Sequence, residues 1–366
     1  MLREGKFGVS EAVCLTSITI TTKVFYTSPS LLADLLGTSS WYMTLISAAT
    51  ACLGFLFIYL LLKRFDGNDI VQIYKIAFGR FLGSVFALML CLFLLLISFS
   101  TIREFIDVFQ VYVMPRASGD YLILIFIAVC AAFCFYGLES IARFSRVSAY
   151  FLLLGLGFVL VLSFQNYHLT YLFPFWGRGL DKTIQNGLMR SSSYGEVIVL
   201  SVFAPALQGI KYVKRAGYYS LIISGLLISV TLLAFTLTFP YTTGAELTSP
   251  MYELTMQIGY GRFFQRLDPI FLFVWIISSF ITVSALLYGS LSTYAKVFSI
   301  DNLRPCLIPF FSIVFCLTLM PPDIVTVSTG LIQNIRSYGW TIFFVVPMLA
   351  LILAAIRKKK GAVKNA

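Results

Sequence analysis

The sequence predicts an all-α polytopic membrane protein with about ten transmembrane helices. Two observations predict it. Of the 366 residues, 59% are hydrophobic and only 12% are charged, about half the charge of an ordinary soluble domain. Apolar runs of roughly 18 residues or more also recur from one end of the chain to the other. Thirty-five Phe and twenty Tyr suit a lipid-facing surface edged by aromatic belts. No stretch is long and polar enough for a separate soluble domain. The whole of 1–366 is therefore expected to form one transmembrane domain.

The segments fall near 10–36, 40–62, 82–113, 120–138, 144–164, 188–207, 216–239, 269–295, 305–320 and 338–356. The N-terminal MLREGKFGVSEAV precedes no small-residue cleavage site, so the first segment is read as retained. With a cytoplasmic N-terminus, 18 of the 27 Lys and Arg lie on the inner side, 7 on the outer side and 2, Lys23 and Arg103, within segments. That bias predicts both termini inside. The net charge of +11 then reflects a cytoplasmic membrane face, not nucleic-acid binding.

Ten segments divide into five and five, with the first half at about 10–164 and the second at about 188–356. An odd number per half reverses the direction of entry, as in the inverted repeats of many secondary transporters. No residue-level repeat is visible. However, segments 1 and 6, each first in its half, are the two most interrupted by polar residues.

In segment 1, TTKVFYTSPS (21–30) places five Ser or Thr hydroxyls, a lysine, a tyrosine and a proline in a membrane span. Lys23 is about 13 residues from either end, or roughly 20 Å along a helix. It is too deep to snorkel. Pro29 lacks an N–H and the threonines compete for carbonyls, so the segment is expected to unwind near Thr19–Lys23. In segment 6, Ser191-Ser192-Ser193-Tyr194-Gly195-Glu196 leads into an apolar run that meets Pro205. Unwound backbone at this depth requires a protein-lined or wet cavity, so two broken helices facing each other at a ligand site are expected. Lys23 and Glu196 either serve a ligand there or neutralise each other structurally.

Three further groups carry two readings each. Arg103, Glu104 and Asp107 either reach the outer interface, with Arg103 and Asp107 spaced for an i,i+4 pair, or Ser100 and Glu104 look into the cavity. On segment 8, Ser284 and Tyr288 form one polar face and Ser278, Thr282 and Gly289 a second; each either lines a cavity or packs. The amphipathic stretch Met251–Ile258 lies on the outer surface, as a gate or as a shield. The seven scattered cysteines include no C-x-x-C pair, and His168 is the one histidine. No metal site, cofactor or nucleophile–base constellation is expected, and hence no enzyme.

YGLESIAR (136–143), FPFWGRG (173–179), SSYGEVIVL (192–200) and GRFFQRLDPIFLFVWIISSF (261–280) occur in this order along the chain. On these motifs the chain resembles the permease-like B subunits of endospore germinant receptors, a branch of the amino acid–polyamine–organocation transporter superfamily. The resemblance implies a LeuT-like fold of two inverted five-helix repeats, with helices 1 and 6 broken around a small-molecule site. It implies sensing of a nutrient germinant such as an amino acid or sugar, receptor A and C subunits as partners, and residence in the spore inner membrane. It places binding positions near Thr21 and Thr22, near Ser100 and Glu104, at Gly195, Glu196 and Val197, and near Ser284 and Tyr288. Where the superfamily often has glycines at the first break, this chain has Thr21-Thr22-Lys23, a departure that bears on ligand choice. Three functions stay open: a germinant sensor, an active symporter, and a water or ion conduit.

Overall fold

The computed structural model describes residues 5–65, 68–259, 268–323 and 325–358. Part of the fourth motif (261–267), Arg3 and the basic tail from 359 therefore lie outside the described residues.

Segment 1 folds as two pieces. Helix α1 (Val9–Thr21) passes into a 3₁₀ turn (Thr22–Phe25), and α2 (Ser28–Leu36) follows with Pro29 in its first turn, where a missing N–H costs nothing. The break falls where the Thr-Thr-Lys run and Pro29 place it. Gly37, at φ +65°, turns the chain into α3 (Ser40–Arg64). The short α4 (Ile70–Phe78) is capped by the Asp69 side chain, which accepts from the Gln72 N–H at 2.9 Å and so satisfies one orphan donor. Long helices α5 (Arg80–Tyr112), α6 (Gly119–Tyr136) and α7 (Leu138–Leu162) complete the first half.

After α8 (Leu180–Met189), segment 6 is interrupted as the serines predict. Residues 190–198 form a 3₁₀ stretch, then one turn of α9 (Val199–Val202) and a further 3₁₀ turn at Pro205. Next come α10 (Ile210–Thr238), α11 (Tyr241–Glu246), α12 (Pro250–Met256), α13 (Asp268–Phe298) and α14 (Arg304–Leu319). Of the amphipathic outer stretch, Met251 and Leu254 are wholly buried and the Tyr112 hydroxyl donates to Glu253 at 3.0 Å. The apolar face of α12 thus packs onto the bundle as a cover.

Segment 10 departs from the sequence reading. Helical structure begins at Thr326, not near 338. It runs through a π-helical stretch (Thr326–Ile332), α15 (Gln333–Tyr338), a second π stretch (Thr341–Val345) and α16 (Val346–Ile356). Gly330, Gln333, Asn334, Arg336 and Gly339 lower the hydropathy of its first half, which therefore reads as a connection. The fold buries part of that polar character instead.

Among the described residues, seven helical stretches are long and apolar enough to cross a membrane: Ser28–Arg64, Arg80–Tyr112, Gly119–Tyr136, Leu138–Asn166, Ile210–Thr238, Asp268–Phe298 and Thr326–Ile356. Helix α14, of 16 residues, is shorter. The two interrupted elements account for the rest of the expected spans; each is too short piecewise to register as one helix. Large apolar side chains such as Phe81, Leu154, Val161 and Ile308 are exposed, as a lipid-facing surface requires.

Candidate functional site

The two broken elements meet inside the bundle. Lys23, in the 3₁₀ turn of segment 1, extends its Nζ to Glu196 of segment 6, at 2.7 Å from Oε1 and 2.8 Å from Oε2, and also donates to the Ser193 carbonyl. Both side chains are largely withdrawn from solvent, at 13% and 8% exposure. Two carboxylate oxygens and one backbone carbonyl give the ammonium three acceptors for its three donors.

Glu104 arrives from α5 and is buried. Its Oε1 accepts from the Thr27 N–H at 2.9 Å and from the Thr27 hydroxyl. Thr27 is the N-cap residue of α2, so Glu104 acts from another helix as the third-position Glu of a capping box acts within one. A negative charge there also suits the N-terminal end of the half-helix dipole. Glu104 therefore lies inside the bundle. The neighbouring Arg103 and Asp107 form the i,i+4 pair at 2.9 Å, and Arg103 also donates to the Pro322 carbonyl at 3.2 Å.

Between these groups lies a cavity of about 50 Å³, room for a few waters. Lys23, Ser100, Glu104, Glu196, Thr282 and Arg336 line it, together with Tyr26 and the serines at 192 and 193. Tyr26 is held by a 2.7 Å bond from its hydroxyl to Ser279 Oγ and by an edge contact with Trp275 at 5.9 Å. Thr282 donates to Thr22 Oγ1 at 2.9 Å, and Thr22 donates to the Ile18 carbonyl at 2.6 Å. The broken turn is thereby tied to α13. Two cations and two carboxylates face one small space, so the lining is balanced in charge.

Of the predicted site residues, Lys23, Ser100, Glu104 and Glu196 come together at this cavity. The others lie elsewhere. The side chain of Thr22 supports the broken turn, and Thr21 faces an apolar recess beside α7 and α10. Val197 is buried in the core. Gly195 packs so tightly that a Cβ would stand 1.9 Å from the Phe343 ring. Tyr288 packs its ring on Phe203 at 5.9 Å, and the Ser284 carbonyl lies 3.6 Å from Cys134 Sγ of α6. The second polar stripe on segment 8 reaches the cavity, through Thr282.

Arg336 was missed, along with Tyr26. As an outer-loop residue it counts among the 7 outer charges, yet it sits in α15 and lines the cavity, with its carbonyl accepting from Ser192 Oγ. Arg190, counted the same way, is buried in segment 6. The signal was present in Ile332, Ile335, Gly339 and Phe343, spaced three and four apart as on one helical face.

This is the architecture of a multi-pass membrane protein of the receptor or transporter kind, with a small chamber lined by polar side chains between two broken helices. A protein-family model described as "Spore germination protein" matches residues 8–327, and the chain belongs to that family. It is 21% identical to spore germination protein B2 of Bacillus subtilis, covering 98% of both chains. It is 24% identical to spore germination protein A2 of the same organism, covering 97% of both. Among solved structures it is similar to Mhp1, a nucleobase–cation symport-1 family transporter, in a closed conformation with bromovinylhydantoin bound. The TM-score is 0.66 at 11% identity, over 93% of this chain and 79% of that one. A Na⁺-coupled sialic acid symporter in a substrate-bound outward-open state gives a TM-score of 0.63 at 11% identity, over 94% and 79%. The fold is thus the LeuT-like one, with helices 1 and 6 broken.

Proposed function

We propose that this chain is the membrane subunit of a spore germinant receptor that binds a small nutrient, of the amino acid or sugar class, in the chamber between segments 1, 3, 6, 8 and 10. Binding there triggers germination. The observation that carries this reading is the convergence of Lys23, Glu196, Glu104 and Arg336 on one small, charge-balanced space. Ionisable side chains at this depth are costly and usually mark function. Equal numbers of cations and carboxylates suit a zwitterion, which favours an amino acid within that class. The chamber has room only for water, so ligand entry requires the broken segments to part, a motion for which half-helices are suited.

The reading includes receptor A and C subunits as partners, the spore inner membrane as the location, and both termini in the cytoplasm. The test is a germination dose–response with a panel of amino acids and sugars. Arg336→Gln, at normal abundance, is expected to raise the half-maximal ligand concentration about tenfold or more, equivalent to ~1.4 kcal/mol. An unchanged dose–response sinks the assignment. The solved relatives by fold are transporters, which keeps active symport as the second reading. Uptake of labelled ligand into vesicles containing this chain alone favours symport over sensing.

A further inference from the structure

A second, smaller cavity of about 30 Å³ shares Lys23, Ser193 and Arg336 with the first but none of its carboxylates. It lies between α2, α3, the 190–198 stretch and α10, and its other polar lining includes Ser28 and Arg190. Among the described residues, no acidic side chain lines it.

Arg190 is 2% exposed. Its Nη2 donates to Gln333 Oε1 at 2.7 Å, while Nε and Nη1 have no partner among the described residues. A guanidinium keeps its charge in proteins, and the neutral amide of Gln333 cannot offset it. Ser28 Oγ, at 5% exposure in the first turn of α2, also lacks a partner among the described residues. The charge ledger points the same way. Lys23 and Arg336 are matched in number by Glu196 and Glu104, so Arg190 is the surplus cation of this cluster. A buried charge without a counter-ion is strongly disfavoured, and unpartnered guanidinium and hydroxyl donors lining one cavity favour an anion. The volume suits one or two waters' worth of ligand; a phosphate or an intact amino acid does not fit.

We propose that this cavity binds one small inorganic monovalent anion of halide size, held by Arg190 Nε and Nη1 and by Ser28 Oγ. The anion ties the outer half of segment 1 to segment 6 and, through the Arg190–Gln333 bond, to segment 10. It is a fixed structural counter-ion and does not depend on the identity of the germinant.

The test uses the purified full-length chain in detergent at constant ionic strength, with sodium chloride, bromide or gluconate. Chloride and bromide are expected to raise the melting temperature saturably by a few degrees over gluconate. Arg190→Gln is expected to abolish that increment and Ser28→Ala to weaken it. Crystals grown in bromide are expected to show an anomalous peak between Arg190 and Ser28, which needs no variant. If Arg190→Gln does not accumulate, Ser28→Ala carries the comparison. Equal melting in chloride and gluconate, an increment that Arg190→Gln retains, or bromide bound only elsewhere overturns the proposal.

Discussion

Lys23 satisfies its three donors on Glu196 and Ser193, so removing either charged partner strands the other in the bundle interior. Breaking a buried pair from one side costs about 3–5 kcal/mol, whereas replacing both partners with apolar groups is often tolerated. Glu196→Gln keeps the shape and a hydrogen-bonding group while removing the charge. We expect it to reduce thermal stability and ligand response, and Lys23→Met combined with Glu196→Met to recover stability but not response. Recovery of both by the double variant, measured as melting temperature and germination dose–response, would show that the pair is only structural. Gly195 sets a second test at this scale. Its missing side chain admits the Phe343 ring, so Gly195→Ala is expected to cost about 1–3 kcal/mol by overpacking. Phe343→Leu in the same chain should restore part of the loss in a melting experiment. Lys23, Glu196 and Gly195 were all conspicuous in the sequence, since a charge or a glycine inside an interrupted span is legible without coordinates. Their partners were not, because 173 positions separate Lys23 from Glu196 and no local pattern encodes that approach.

The interrupted helices depend on caps supplied by other elements. α2 begins at Thr27–Ser28 without a hydrogen bond from its own N-cap side chain; Glu104 of α5 supplies the acceptor instead. Glu104→Ala should therefore loosen α2 selectively, with a loss of about 1–2 kcal/mol typical of a removed cap. Hydrogen exchange of residues 28–36 would speed up while α5 itself stays protected. Equal exchange in the two proteins would remove Glu104 from this role. At this scale the sequence placed the breaks in segments 1 and 6, because Pro29, the Thr-Thr-Lys run and the Ser-Ser-Ser-Tyr-Gly-Glu run act locally on the backbone. It misjudged segment 10 for the converse reason. Gln333 and Arg336 lower the hydropathy of a window, yet in the bundle Gln333 receives Arg190 and Arg336 faces the chamber. A polar residue that finds its partner across the bundle looks, along the chain, like a residue that wants water.

For the whole molecule, moving Arg190 and Arg336 from the expected outer side into the bundle leaves five Lys and Arg expected outside against 18 expected inside, which sharpens the basic bias of the proposed topology. Cysteines placed at Lys211 and Lys182, in a background lacking the seven native cysteines, should react with an impermeant reagent from opposite sides of the membrane, the first only from the cytoplasm. Labelling of both from one face would overturn the topology. Composition and apolar run length determined that this chain spans a membrane many times as helix, because hydrocarbon admits little else for an unpaired backbone. The polar interruptions determined where two of those helices break. What only the tertiary structure decided is which charges share a chamber. Of the two places left open for Glu104, interface and cavity, the fold took the cavity, where it caps a half-helix; Arg336 moved from a loop to the chamber wall, and Ser284 and Tyr288 came to lie in the packing around it. These choices between open readings follow from the rotation of each helix about its axis and from contacts between residues far apart in sequence. Those are properties of the packed bundle, and neither composition nor local spacing carries them.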